Sequence, residues 1–133
     1  MMTIFEKAAI CAVKIINDKN LSPEEAWFEA ISEYTNSYET RIKKCPKHAF
    51  VDLYYHNKLK LDRPIHIRQG LTLNGRYALK AIELLIKDSS LANSKNELWT
   101  RTMQELNDNP YKGQNGQMDI VIALYNEKLL KLD

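Results

Sequence analysis

Apolar residues recur three and four positions apart at the start of the chain: Ile4, Phe5, Ala8, Ala9, Ala12, Val13 and Ile16. That spacing lays them along one face of a helix. A second stripe, Ala26, Trp27, Ala30, Ile31 and Tyr34, follows "NLSPEEAW". There Ser22 suits an N-cap, Pro23 the first helical position, and Glu25 closes a capping box. After the polar run "TNSYETRIKK" a third helix is expected to start at Cys45 and Pro46, with Ala49, Phe50, Leu53 and Tyr54 facing inward.

The plan then recurs. Ala78, Ala81, Ile82, Leu84 and Leu85 match Ala9, Ala12, Val13, Ile15 and Ile16 at an offset of 69. "SKNELW" matches "SPEEAW" at an offset of 72, with Ser94 as cap and Glu97 as its box partner, and Met103 stands where Ile31 stood. A sixth helix from about Asn115 carries Val121, Leu124, Tyr125 and Leu130, matching Phe50, Leu53, Tyr54 and Leu59 at an offset of 71. The pattern predicts an all-α fold: about six helices in two similar three-helix halves, residues 3–59 and 74–131, joined by a basic linker, 60–73. Each half is about 50 residues, marginal for hiding its own apolar face. One shared core is therefore expected, around Trp27, Trp99, Phe50 and Tyr125. In the linker Ile65, Ile67, Leu71 and Leu73 alternate with polar residues about Gln69-Gly70, which reads as a minor β-hairpin near 64–73 or an extended crossover.

Composition adds limits. With 133 residues, 44% hydrophobic and 27% charged, the chain fits one globular domain. Two cysteines, Cys11 and Cys45, make no disulfide framework. No stretch approaches the roughly 20 apolar residues of a membrane span, and acids and lysines break the first apolar run, unlike a secretory signal. A cytoplasmic protein without a membrane partner is expected. The net charge of +2 conceals an asymmetry. Residues 1–40 carry seven acids and three bases, 41–80 two acids and ten bases, and 81–133 eight acids and six bases. A basic middle between acidic flanks bears on partners, not on fold.

Chemistry-bearing motifs are few. No Gly-rich phosphate loop, nucleophile elbow, H-E-x-x-H pair or calcium loop occurs. Cys45 at a helix start beside lysines, with His48 one turn on, fits a reactive thiol or redox sensor, but fits better an ordinary capping residue with a half-buried thiol. No obvious acid orients His48, and the matching position in the second half is Asp119. Cys45, His48, His56 and Cys11 lack the spacing of a zinc site, so neither metal nor cofactor is expected. The third-helix starts align Lys44 with Asn115 and Lys47 with Met118. If they lie together, Lys44, Lys47, Asn115 and Gln117 suit an acidic group. The basic belt, Arg41, Lys43, Lys44, Lys47, Lys58, Lys60, Arg63, Arg68 and Arg76, suits an acidic protein partner. Three helices and a hairpin also match a winged-helix DNA binder, although Asp119 and Glu127 on the second such helix would repel phosphate.

"LSPEEAW" (21–27), "CPKHAF" (45–50), "YALKAIELL" (77–85), "ELW" (97–99) and "NGQMDIVIALY" (115–125) together resemble a family of small bacterial proteins of unknown function. That resemblance implies a small soluble helical protein and no activity. The family often has glycine where this chain has His48, so it assigns that histidine no role. The sequence thus points to a non-enzymatic module that recognises an acidic surface through its basic middle. A DNA-binding winged helix and a Cys45 thiol enzyme are the alternatives.

Overall fold

The computed structural model describes residues 1–109 and 111–133. Six longer helices and one single-turn helix are present: α1 (Ile4–Lys19), α2 (Pro23–Ser32), α3 (Tyr38–Arg41), α4 (Lys44–Tyr55), α5 (Leu73–Lys87), α6 (Lys95–Glu105) and α7 (Gln117–Asn126). A 3-10 turn, Ser89–Asn93, joins α5 to α6. The fold is all-α, and no helix among the described residues is long and apolar enough to cross a membrane.

Local sequence explains the helix starts. Thr3 and Ser22 head α1 and α2 with complete capping boxes closed by Glu6 and Glu25. Ser94 caps α6 through the Glu97 backbone N–H, but the Glu97 side chain does not close the expected box. Two starts differ from expectation. Lys43, not Cys45, is the N-cap of α4, so the helix begins at Lys44 and Pro46 falls third. Proline is tolerated there because first-turn N–H groups have no intrahelical partner. For α7 the N-cap is Gly116, not Asn115, at φ +96°. A β-carbon there would lie 3.1 Å from both Phe5 and Pro46, so glycine answers both the backbone angle and the close approach.

α1 packs against α2 and α7, and α5 against α6, α4 and α7. The first helix of each half thus lies on the third helix of the other. Trp27 and Phe50 are fully buried with ring centres 5.6 Å apart, and Trp99 meets Tyr77 edge-on at 5.0 Å. The Trp27 indole N–H finds no acceptor among the described residues, whereas Trp99 Nε1 donates to the Lys112 carbonyl at 2.6 Å. Tyr125, expected in the core, is only partly buried against it.

The starts of α4 and α7 touch at Pro46 and Gly116, and the segments leaving them meet as an antiparallel bridge between Leu59 and Leu130. The two helices therefore run side by side in one direction. Both end in the same way. Asn57 and Lys128 adopt φ +59°. The Lys58 N–H then bonds the Leu53 carbonyl at 2.8 Å, and the Leu129 N–H the Leu124 carbonyl at 2.9 Å. This is the Schellman closure, which favours glycine or asparagine at the left-handed position. Asn57 satisfies that preference; Lys128 does not. Lys128→Gly is expected to raise stability by about 0.5–1 kcal/mol in urea unfolding. A loss would mean that the lysine side chain contributes more than its backbone angle costs.

Of the two readings of the linker the crossover holds: no hairpin forms near 64–73, and residues 64–72 are an irregular strap without strand pairing. Its polar groups go to α4 instead. The Arg68 N–H donates to the Tyr55 carbonyl at 3.1 Å, and His56 Nε2 lies 2.9 Å from the Gly70 carbonyl. With backbone partners supplied by a helix end, the strap gains nothing by folding on itself.

Candidate functional site

The arginines of the basic belt serve mainly as internal ties. Arg41 Nε donates to the Thr35 carbonyl at 2.9 Å, and an Arg63 terminal nitrogen to the Leu21 carbonyl at 2.8 Å. Arg68 lies 3.8 Å from the Tyr55 ring centre and 3.7 Å from the Glu24 carboxylate. Tyr55 in turn donates to Glu24 at 2.9 Å. Burial, then that carboxylate, pushes the Tyr55 hydroxyl up to about 12. Arg76 is exposed on α5, within electrostatic reach of Asp108.

At the α4 start Lys43 and Lys44 are exposed and Lys47 is half-buried, with Lys43 Nζ 5.6 Å from the Phe5 ring centre. Asn115 and Gln117 are close by, but their neighbourhood is already committed. Gln114 Oε1 accepts from the Gly116 and Met118 N–H groups at 2.9 and 3.2 Å, and the buried Gln117 amide donates to Asn74 at 2.8 Å. The α7 start is therefore capped from within, while the α4 start has no side-chain cap. Cys45 is a half-buried free thiol at the second position of α4, with His48 half-buried one turn on. Among the described residues no three His, Cys, Asp or Glu side chains are placed to hold a metal.

The other end of α4 and α7 carries a feature absent from the motif analysis. Leu59-Lys60-Leu61-Asp62 recurs as Leu130-Lys131-Leu132-Asp133, again at an offset of 71. The two segments cross there with reciprocal bonds: Lys60 N–H to the Leu129 carbonyl at 2.9 Å, and Lys131 N–H to the Lys58 carbonyl at 2.8 Å. Leu59 and Leu130 point into the core, and strand alternation turns Lys58, Lys60 and Lys131 outward, while Leu129 stays partly buried against the core. This register sets Lys58 opposite Lys131. Like charges directly across a pair destabilise it. Among the described residues Lys58, Lys60, Lys128 and Lys131 form no ion pair, and Lys131 Nζ donates to Asn57 Oδ1 at 2.8 Å. Beside them lies a groove of about 920 Å³ bordered by His56, Lys58, Lys60 and Lys131, with Asp133 its one acid. A second cleft of about 440 Å³, bordered by Tyr125, Lys128, Leu130 and Leu132, shares Lys60 and both leucines with it. The exact tetrapeptide repeat was the signal that would have found this end.

The remaining ionic contacts are structural. The Thr3 hydroxyl donates to Asp119 at 2.7 Å. Lys95 Nζ lies 2.7 Å from Glu6 and 3.5 Å from Asp119. Burial raises the pKa of Glu6, but hydrogen bonds from Lys95 and the Thr3 N–H outweigh it and leave it lowered. Tyr77 donates to Asp108 at 2.6 Å and accepts from Lys112 at 2.7 Å, which holds the loop after α6 against α5.

The fold and this geometry define an all-α protein with a buried ionic cluster near the start of α7 and a basic, grooved surface past its end. The chain belongs to DUF6979, a family of unknown function whose model matches residues 2–131. No curated protein and no solved structure matches it.

Proposed function

We propose that the protein is a non-enzymatic module that binds an acidic surface on a partner protein. The observation that carries this reading is the set of four lysines, Lys58, Lys60, Lys128 and Lys131, unpaired beside a groove where two of them face each other. A stability-driven surface would spread such charges or pair them; grouped, they attract and orient a negative partner. The basic middle segment supplies two of the four, and the matching segment after α7 supplies the others. We read the chain as two copies of one three-helix unit in a single domain, which the similar offsets of 69 to 72, the paired helix ends and the reciprocal crossing support.

The test is fluorescence anisotropy of a labelled nonaglutamate peptide at low salt. Lys60→Glu with Lys131→Glu is expected to lower its affinity at least tenfold, and Lys44→Glu with Lys47→Glu to leave it within about twofold. If the second pair alone abolishes binding, the docking face lies at the helix starts. If neither pair changes it, or the peptide does not bind, the reading falls.

A further inference from the structure

The basic groove and the apolar cleft are one surface. They share Lys60, Leu130 and Leu132, so a chain lying across the lysines passes over the cleft. The cleft is smaller, less open to solvent and mainly apolar, with the partly buried Tyr125 ring and Leu132 on its sides. Leu132 is 42% exposed, although the matching Leu61 is half-buried against the core. The two segments thus have the same sequence and different environments. The Leu61 side is tied down by Asp62, whose N–H donates to Asn17 Oδ1 at 2.9 Å. Position 86 stands where Asn17 stood, at the offset of 69, and holds Ile86, 53% exposed. One side of the crossing is closed by α1, and the other is left open with a leucine at its edge.

We infer that the partner is a short acidic segment of another protein that carries an aliphatic or aromatic anchor among its carboxylates. The carboxylates meet Lys58, Lys60, Lys128 and Lys131, and the anchor enters the cleft between Tyr125 and Leu132. The lysines give attraction and speed of encounter; the anchor sets register and residence time. A nucleic-acid strand has the charge but no side chain for a cleft of this shape, and arginine forks, its usual partners, are absent from the cleft and groove walls. Two acids lie near, Asp133 in the groove wall and Glu127 beside Lys128, and they disfavour a partner whose charges are not spaced to avoid them.

This inference rests on the acidic-surface reading and is tested so that the two can fail separately. Three labelled probes are compared by anisotropy at fixed salt: nonaglutamate, the same peptide with its central residue replaced by leucine, and a 20-base-pair DNA duplex. The leucine peptide is expected to bind about tenfold more tightly than nonaglutamate, the gain of burying one aliphatic side chain. Leu132→Ser, at an exposed site where circular dichroism verifies the fold, is expected to erase that gain and leave nonaglutamate binding unchanged. Equal affinity for both peptides, or a gain that survives Leu132→Ser, overturns the anchor and leaves the acidic-surface reading standing. Binding of neither peptide overturns both. Tighter binding of the duplex through Lys60 and Lys131 replaces the protein partner with nucleic acid.

Discussion

Gly75→Ala is expected to destabilise the protein by about 2–4 kcal/mol, although the same change in an open helix gains about 1 kcal/mol. Gly75 is the third residue of α5, the place a capping-box glutamate occupies. In α1 that place holds Glu6, whose carboxylate accepts the Thr3 N–H at 3.0 Å. In α5 the acceptor comes from another helix. Asp52 of α4, 7% exposed, takes the Thr72 N–H at 2.9 Å and its hydroxyl at 2.6 Å. An added β-carbon at Gly75 would lie 2.0 Å from Asp52 Oδ2 and 2.5 Å from Asp52 Cβ. The carboxylate would have to leave, stranding two donors and a buried charge. Urea unfolding of the two proteins measures the difference. A stabilised variant would show that Asp52 has room to swing aside. Asp52→Ala should not rescue the variant, because its own β-carbon is already too near.

Lys95→Met should cost about 2–3 kcal/mol at neutral pH. Glu6 and Asp119 have side chains only 11% and 7% exposed, and Lys95 is the one cation within ion-pair distance of both among the described residues. Removing one partner of a buried ionic group leaves uncompensated charge; the 31% exposure of the lysine side chain moderates the loss. The pH dependence gives a second check. Glu6 has a lowered pKa in the folded protein, so its contribution is present above the ordinary glutamate value and is lost as pH falls through the folded one. Without Lys95 the burial that raises Glu6 is unopposed by its main partner. The hydrogen bonds from Thr3 still lower the Glu6 pKa, so the variant loses less stability on acidification than the parent does. The gap between them should narrow from pH 7 to pH 3.5. A constant gap would mean that the lysine acts through its aliphatic stem alone.

The helices were legible because each writes its burial in its own period. Ala8, Ala12 and Ile16, or Trp99 and Met103, are inward residues at helical spacing, and all are buried. Ser22 and Ser94 could be placed because the N–H groups they cap lie three residues on, although only Ser22 gains a closed box. Thr72 could not, since its acceptor is 20 residues away on another helix. The strap reads as a hairpin for a related reason: Ile65 and Ile67 alternate like a strand, but the backbone just beyond them, at Arg68 and Gly70, is held by Tyr55 and His56. Among the candidate site residues the sequence counted charges without seeing their occupation. Arg63 reaches a carbonyl 42 residues away, and Arg41 and Arg68 are likewise engaged. The grouping of lysines was hidden too: Lys128 and Lys131 lie outside the basic middle and join Lys58 and Lys60 only through the crossing.

The exchange of third helices has a consequence for synthesis. α1 leaves the ribosome with α2 to lean on, but the surface it presents to α7 stays bare until about 100 further residues have been made. At translation speeds of about 5–20 residues per second, that wait is on the order of 5–20 s. α4, α5 and the strap must meanwhile settle without the helix that completes their interior. A stalled or prematurely released chain lacking α7 would hold most of its helices and still have no finished core, which makes it a natural client for chaperones.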